Sequence, residues 1–255
     1  MKKFNIYLLT YLIALISLPL QGNAAPFRNE NLKYVISYKW GLIHKDAGEA
    51  TLSLNTKGDV YNVMLSAKTK PWADKIYQVR DTLKGTIRVS DLKPLSYTKI
   101  THEKGKYKRD EIKYSFSGNT TTGKAKRFRP EKGKMTVKEN TFTATGPVYD
   151  MLSVFYYLRQ LNFAQLAKNK IYTATVFSGK QKETLKIRYI GLEKIKLKDN
   201  TQREAYHIKF NFTRDGGKKS SDDMDTWIST DSRHIPLYLT GKLPVGEVRA
   251  YFVGG

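Results

Sequence analysis

Asp222, Asp223 and Asp225 are the only acidic cluster in an otherwise basic chain. Carboxylates at that spacing could ligate calcium, or divide the acid and base roles of glycoside hydrolysis. The calcium reading lacks the glycine and terminal glutamate of an EF-hand loop. A solvated loop ahead of Trp227 accounts for the same residues. The four histidines, His44, His102, His207 and His234, are not spaced as metal ligands. His207 alternates outward between Tyr206 and Ile208, and His102 lies among lysines beside a turn, so both are expected in solvent. No G-x-S-x-G elbow, phosphate-cradling glycine loop or H-E-x-x-H is present, and there is no cysteine for thiol chemistry or metal–thiolate binding. We expect no catalytic residue, no metal and no cofactor. A hydrolase using the aspartates ranks below a binding protein.

The cationic residues are more distinctive. Arg159 lies seven residues after Leu152 and four after Phe155, so at helical spacing it projects into an apolar stripe. An unpaired guanidinium there would be costly, so it needs a carboxylate or carbonyl partner. A structural ion pair is the plainer reading, and a cationic group in a ligand cavity the sharper one. From Lys99 to Lys138 there are 13 Lys or Arg against 4 acidic residues. Lys106, Lys108, Arg109, Lys124, Lys126, Arg127 and Arg129 are expected together on a solvent-facing sheet surface. There they would meet anionic lipid head groups or polysaccharide. The same lysines also discourage edge-to-edge strand pairing.

The start of the chain bears on which anions are available. Lys2 and Lys3 precede an apolar run from Ile6 to Leu20, which ends in Pro19, Gly22, Asn23 and Ala24. This pattern is that of a secretory signal peptide over residues 1–24. The run is too short for a comfortable membrane span, and no cysteine stands at the cut for lipid attachment. A single domain over 25–255, periplasmic or secreted, is therefore expected. The whole chain carries +22 and loss of Lys2 and Lys3 leaves +20, so its partners there would be envelope polyanions rather than nucleic acid, with peripheral membrane contact.

These residues must be positioned mainly by strands. Tyr34, Ile36, Tyr38 and Trp40 alternate with polar residues. So do Tyr61, Val63, Leu65 and Ala67, and later Tyr206, Ile208, Phe210 and Phe212. A period of two rich in tyrosine and β-branched residues marks half-buried antiparallel strands. About a dozen are expected from turn signals such as Asn55–Asp59 and Lys104–Lys106. One segment breaks the period. Gly146-Pro147 opens a helix expected over about 147–161, with Val148, Met151, Leu152, Phe155 and Leu158 in one stripe and Asp150 on the far side. The fold class is mostly β: a curved antiparallel sheet forming an open or closed barrel, with that one main helix packed against it.

Several blocks taken in order carry a resemblance. They are YVISYKWGLIHKDAGEATLSL (34–54), IYQVRDTLKGTI (76–87), YDMLSVFYYLRQL (149–161), TATVFSGKQKETLKIRYIGLEKI (173–195) and WISTDSRHIPLYL (227–239). The set resembles the exported bacterial family known as domain of unknown function 3108. The resemblance implies a mostly β envelope protein with no established activity and no catalytic residues to carry over. Within these blocks Arg80 and Asp81 lie beside Ile76 and Val79, and Asp231 and Arg233 beside Trp227 and Pro236. They are the expected members of a partly buried polar network in which Arg159 meets Asp81 or Asp231. The leading expectation is a carrier whose apolar cavity is lined by Tyr38, Trp40, Phe155 and Tyr189, with Arg159, and whose basic rim suits an anionic amphiphile. The alternative is an interaction protein docking its basic face on anionic envelope polymer.

Overall fold

The computed structural model describes residues 27–214, 217, 219–242 and 246–255. The expected signal peptide at 1–24 lies outside the described residues.

Fifteen strands form one sheet. The first run is β1 (Glu30–Trp40), β2 (Ile43–Lys57), β3 (Val60–Thr69), β4 (Val79–Arg88), β5 (Pro94–Glu103), β6 (Lys106–Ser117), β7 (Thr120–Glu131) and β8 (Lys134–Thr145), with the short helix α1 (Pro71–Tyr77) between β3 and β4. The second run is β9 (Val148–Asp150), β10 (Ile171–Phe177), β11 (Lys182–Lys196), β12 (Gln202–Arg214), β13 (Met224–Ser229), β14 (Pro236–Lys242) and β15 (Glu247–Gly254). Helix α2 (Ser153–Arg159) follows β9. The first run, and the second from β10 onward, are meanders of antiparallel neighbours. They are joined where β1 pairs with β15, as in Tyr34 opposite Phe252, so the earliest and latest strands lie in the middle of the sheet. The only parallel pairing among the named strands is β9 with β10.

The sheet curls into a nearly closed barrel. Its two edge strands, β8 and β9, are consecutive in sequence and do not pair with each other. Closure comes from overlap instead. Phe177, at the end of β10, packs against the inner face of the opposite edge, with its ring centroid 6.1 Å from Tyr114 of β6 and 5.5 Å from Phe142 of β8. Gly123 of β7 makes room for it: a Cβ there would lie 2.6 Å from the Phe177 ring. That close approach is the structural reason for glycine in the middle of a strand.

Inside the curl lies α2. Six of its seven residues are buried, so it is not a surface helix with one apolar stripe. Tyr156, with Leu152 just ahead of the helix, packs against the wall made by β1–β7. Val154, Tyr157 and Leu158 pack against the wall made by β10–β13. A helix apolar nearly all round is one surrounded by protein.

The expected helix start at Pro147 is corrected. Val148, Tyr149 and Asp150 extend along β10, and the helix begins only at Ser153. Asp150 is the reason. Its Oδ1 accepts the backbone N–H groups of Leu152 and Ser153, each at 2.8 Å, and the Ser153 hydroxyl accepts the Asp150 N–H at 2.8 Å. This reciprocal bonding satisfies the free donors of the first turn in the manner of a capping box. Asp150 is accordingly buried rather than on a far, solvated side.

The partner of Arg159 is also corrected: it is Glu30, at the start of β1, and neither Asp81 nor Asp231. The guanidinium grips both Glu30 carboxylate oxygens, with Nη2–Oε2 at 3.0 Å. It also donates to the carbonyls of Arg233 and His234, each at 3.0 Å. Phe27 lies beneath it, 4.6 Å from ring centroid to Cζ. His234 Nδ1 returns to the Arg159 carbonyl at 2.6 Å. The pair fixes the end of α2 to the middle of the sheet and to the 230–235 turn. Replacing Glu30 by Gln leaves a buried guanidinium unneutralised, and we expect a loss of about 3–5 kcal/mol in urea unfolding. Arg159→Met combined with Glu30→Leu should cost much less than the Glu30→Gln change alone. Equal losses for the two would show that the charge pairing is immaterial.

Candidate functional site

Two clefts lie along the seam where β8 and β9 fail to pair. The first, about 480 Å³, is at the end of the barrel that holds the β8–β9 connection. It is lined by Asp91, Lys93, Asn119, Thr145, Tyr149 and Tyr157 among others. Tyr149 and Tyr157 stack at 4.5 Å, and burial pushes the Tyr149 hydroxyl's pKa well above the usual tyrosine range. The second cleft, about 550 Å³, opens further along the seam. Asn140, Thr141, Phe142 and Thr143 of β8 form one side, and Lys180, Gln181, Lys182 and Arg214 form the other. It has three cationic side chains and no acidic one in its lining. The β10–β11 turn that carries Lys180 is held against the opposite edge. A Cβ at Gly179 would lie 3.2 Å from Asp110 Cβ of β6.

Neither cleft is lined by the residues expected to form an apolar cavity. Trp40 is largely exposed at the β1–β2 turn. Tyr189 packs against Phe163 and Tyr206, and Phe155 is partly buried in the same cluster. Tyr38 lies near the top of β1, against Gly246. Arg159 is enclosed by Glu30 and the two carbonyls, with four of its donor bonds accounted for. These five side chains do not converge, because α2 occupies the space between the walls.

The expected polar network is likewise dispersed. Arg80 makes a two-pronged pair with Asp74 of α1, at 3.0 and 2.7 Å, which holds the Asp74 carboxyl below the usual range. Asp81 is half-buried with Oδ1 unpartnered, and burial together with the charge of Glu103 raises its pKa. Asp231 accepts from the Ser229 hydroxyl and the Arg233 N–H. The Arg233 guanidinium points to the Gly255 carbonyl at 3.4 Å.

The basic residues of β6 and β7 do not share one solvent face, which corrects a further expectation. Ile112 and Ala125 set the inward parity of the two strands, so Lys106, Lys108, Arg127 and Arg129 share the inner face, while Arg109, Lys124 and Lys126 point outward. Asp110 holds Arg127 at 3.4 Å and Arg129 at 2.6 Å. Lys108 pairs with Glu103, Arg109 with Glu111 and Lys126 with Glu139. Lys106 and Lys124 make no ion pair among the described residues.

His207 is not solvated. Its Nδ1 meets Glu193 at 2.9 Å and its Nε2 meets Asp225 at 2.7 Å, and its ring stacks on Trp227 at 4.3 Å. The stack continues through Tyr238 to Tyr251 across four neighbouring strands. Burial works against the Glu193 charge, yet hydrogen bonds from Trp227 and His207 leave its carboxyl below the usual range. Asp225 is thus committed to His207, while Asp223 accepts from Asn211 and Lys219, so the acidic cluster does not act as one site. His102 is exposed, as expected of it. No group of side chains suited to a metal occurs among the described residues.

The fold is thus a nearly closed antiparallel barrel wrapped round a buried helix, with two clefts along its seam. The chain matches the family described as Protein of unknown function (DUF3108) over residues 33–253, and it belongs to that family. Among curated proteins no relative matches. Among solved structures it is similar in fold to a β-barrel-like protein of domain of unknown function DUF1849 from Brucella abortus. The TM-score is 0.59 at 12% identity, covering 90% of this chain and 98% of that one.

One titratable group near the seam has a measurable signature. Asp150 is fully buried, its Oδ2 has no partner, and burial raises its pKa to about 6 despite the hydrogen bonds from Ser153 and Leu152. The hydroxyls of Tyr97 and Tyr114, which feel its charge, are also buried and unpartnered. Its folded pKa lies above its unfolded value, so its contribution is most favourable below pH 4 and is lost as pH rises through about 6. The Asp150→Asn variant keeps the cap through its amide oxygen. Relative to wild type it should gain up to about 3 kcal/mol between pH 4 and 7 in urea unfolding. A pH-independent difference would refute the assignment.

Proposed function

We propose that the protein is an exported, non-enzymatic binding protein of the cell envelope that takes the anionic head of an amphiphile in the seam cleft. The observation that carries this reading is the second cleft's lining of Lys180, Lys182 and Arg214 with no carboxylate among them. Asn140, Thr141, Thr143 and Gln181 add neutral hydrogen-bonding groups, and Phe142 adds an apolar surface. A volume of about 550 Å³ is within the range of small-molecule sites. The site lies at a rim and not in a lumen, which suits a ligand whose tail remains outside. The separate ties of Asp223 and Asp225 weigh against a hydrolytic pair. The second reading, a basic face docked on anionic envelope polymer, has less support, since the two exposed lysines without an ion pair among the described residues, Lys106 and Lys124, lie on opposite faces of the sheet.

Native mass spectrometry with lipid extraction, on protein purified from its own envelope, tests the proposal. Wild type should carry an anionic amphiphile, and Lys180→Glu with Arg214→Glu should reduce it roughly tenfold, as expected for removing charge-assisted contacts. Equal loading of both proteins would exclude the cleft. Bare protein with salt-reversible binding to cell-wall polymer would transfer the assignment to the second reading.

A further inference from the structure

We infer that the β1–β2 hairpin tip is a membrane-docking finger that inserts into the interface of an anionic bilayer. The tip is Trp40-Gly41-Leu42-Ile43. Trp40 pairs with Ile43, and the turn between them is tight, with Gly41 at a φ of +54° as its first residue. Leu42 is 105% exposed, and Trp40 and Ile43 are 56% and 50% exposed. None of the three is needed by the barrel at this position. A polar turn would close the same hairpin, so the apolar choice is unexplained by folding.

The geometry presents the tip. Gly48 is the last residue of β2 paired with β3, opposite Thr69, so residues 43–47 run past that neighbour by roughly 15 Å. On the other side, pairing with β15 stops at Lys39 opposite Glu247. The base of the finger is braced. The Trp72 indole of α1 donates to the Asp46 carbonyl at 2.9 Å, and the Lys45 ammonium sits 4.8 Å over the Trp72 ring. Ile76, 67% exposed, and Tyr77 lie at the end of α1, which is at the same end of the barrel.

Charge identifies the partner. Most acidic groups at this end are paired within the fold: Asp46 with Lys198, Glu49 with Lys68, Asp74 with Arg80, Glu103 with Lys108 and Glu247 with Arg249, while Asp81 and Glu131 make no ion pair among the described residues. Lys39 adjoins the tip in sequence, and Lys70 and Lys75 lie near the base of the finger; none of the three makes an ion pair among the described residues. Three apolar side chains are far less than the roughly 800 Å² that each side of a stable protein interface needs. A tryptophan beside leucine and isoleucine, with lysines behind it, matches the chemistry of an anionic lipid interface.

The test is partition of lipid-free protein onto vesicles, which reads docking independently of any cargo. Wild type should bind vesicles containing phosphatidylglycerol and bind pure phosphatidylcholine weakly. Trp40→Ser with Leu42→Ser should lower the partition coefficient on phosphatidylglycerol vesicles roughly tenfold or more, whereas Leu42→Phe should retain it. Both changes lie at an exposed turn, and circular dichroism will show an unaltered fold. Brominated lipid should quench wild-type tryptophan fluorescence, and Trp40→Phe should abolish most of that quenching. Unchanged partition of the double serine variant, or quenching that survives Trp40→Phe, overturns the inference.

Discussion

A guanidinium with 1% of its side chain exposed can exist only where carboxylate and carbonyl oxygens surround it, and Arg159 sets that requirement at the centre of this barrel. Glu30 comes from the first strand, the two carbonyls from the 230–235 turn, and the arginine itself from the helix between the two strand runs. The three contributions are far apart in sequence, and they meet only when the sheet has curled. The ion pair therefore selects a curled sheet with α2 inside over a flatter one with α2 on its surface. Once α2 is inside, its tyrosines fill the space a carrier would otherwise leave open. Two clefts lie where closure is imperfect, between β8 and β9.

That seam raises the ordinary problem of an exposed sheet edge. β8 is a twelve-residue strand with one edge unpaired and Met135 and Val137 exposed. Its lysines, Lys134 and Lys138, and the Gly146-Pro147 connection restrain intermolecular pairing. The insertion of Phe177 over Gly123 replaces missing main-chain bonds with aromatic packing. Overlap without pairing holds the two ends of the sheet together while leaving a groove between them. The lysines of the β10–β11 turn enter that groove because the turn is carried across on the end of β10.

Much of the fold was legible in the sequence. Alternation in residues 34–40, 61–67 and 206–212 identified strands that the structure contains, and the family blocks were recognised in order. The site was less legible, for definable reasons. The Arg159 partner could have been found, since Glu30 shares the two-residue period with Leu32 and Tyr34 and so faces inward. It was obscured by 129 residues of separation. The helix boundary was misplaced because Pro147 is an equally good start for a helix and for a strand connection, whereas the Asp150–Ser153 bonding that decides it is a local polar signal. The basic run from 99 to 138 looked like one face because charge was counted along the chain. Strand parity divides it, and Asp110 claims two of its arginines. Lys180 and Arg214 had no sequence signal at all, because the overlap of sheet ends that brings them beside β8 is a tertiary feature.

The two ends of the barrel are physically different, and this asymmetry gives the surface charge a direction. At one end Glu30, Arg159 and the 230–235 turn satisfy one another, beside the first cleft. At the other, the turns after β1, β3, β5 and β7 bear Trp40, Leu42 and Ile76 together with lysines such as Lys39, Lys75 and Lys104. A net charge of +22 spread evenly would give only a diffuse attraction to anions. Placed round apolar tips at one end, it becomes an orienting force, because rotating that end away from an anionic surface loses charge attraction and apolar contact together.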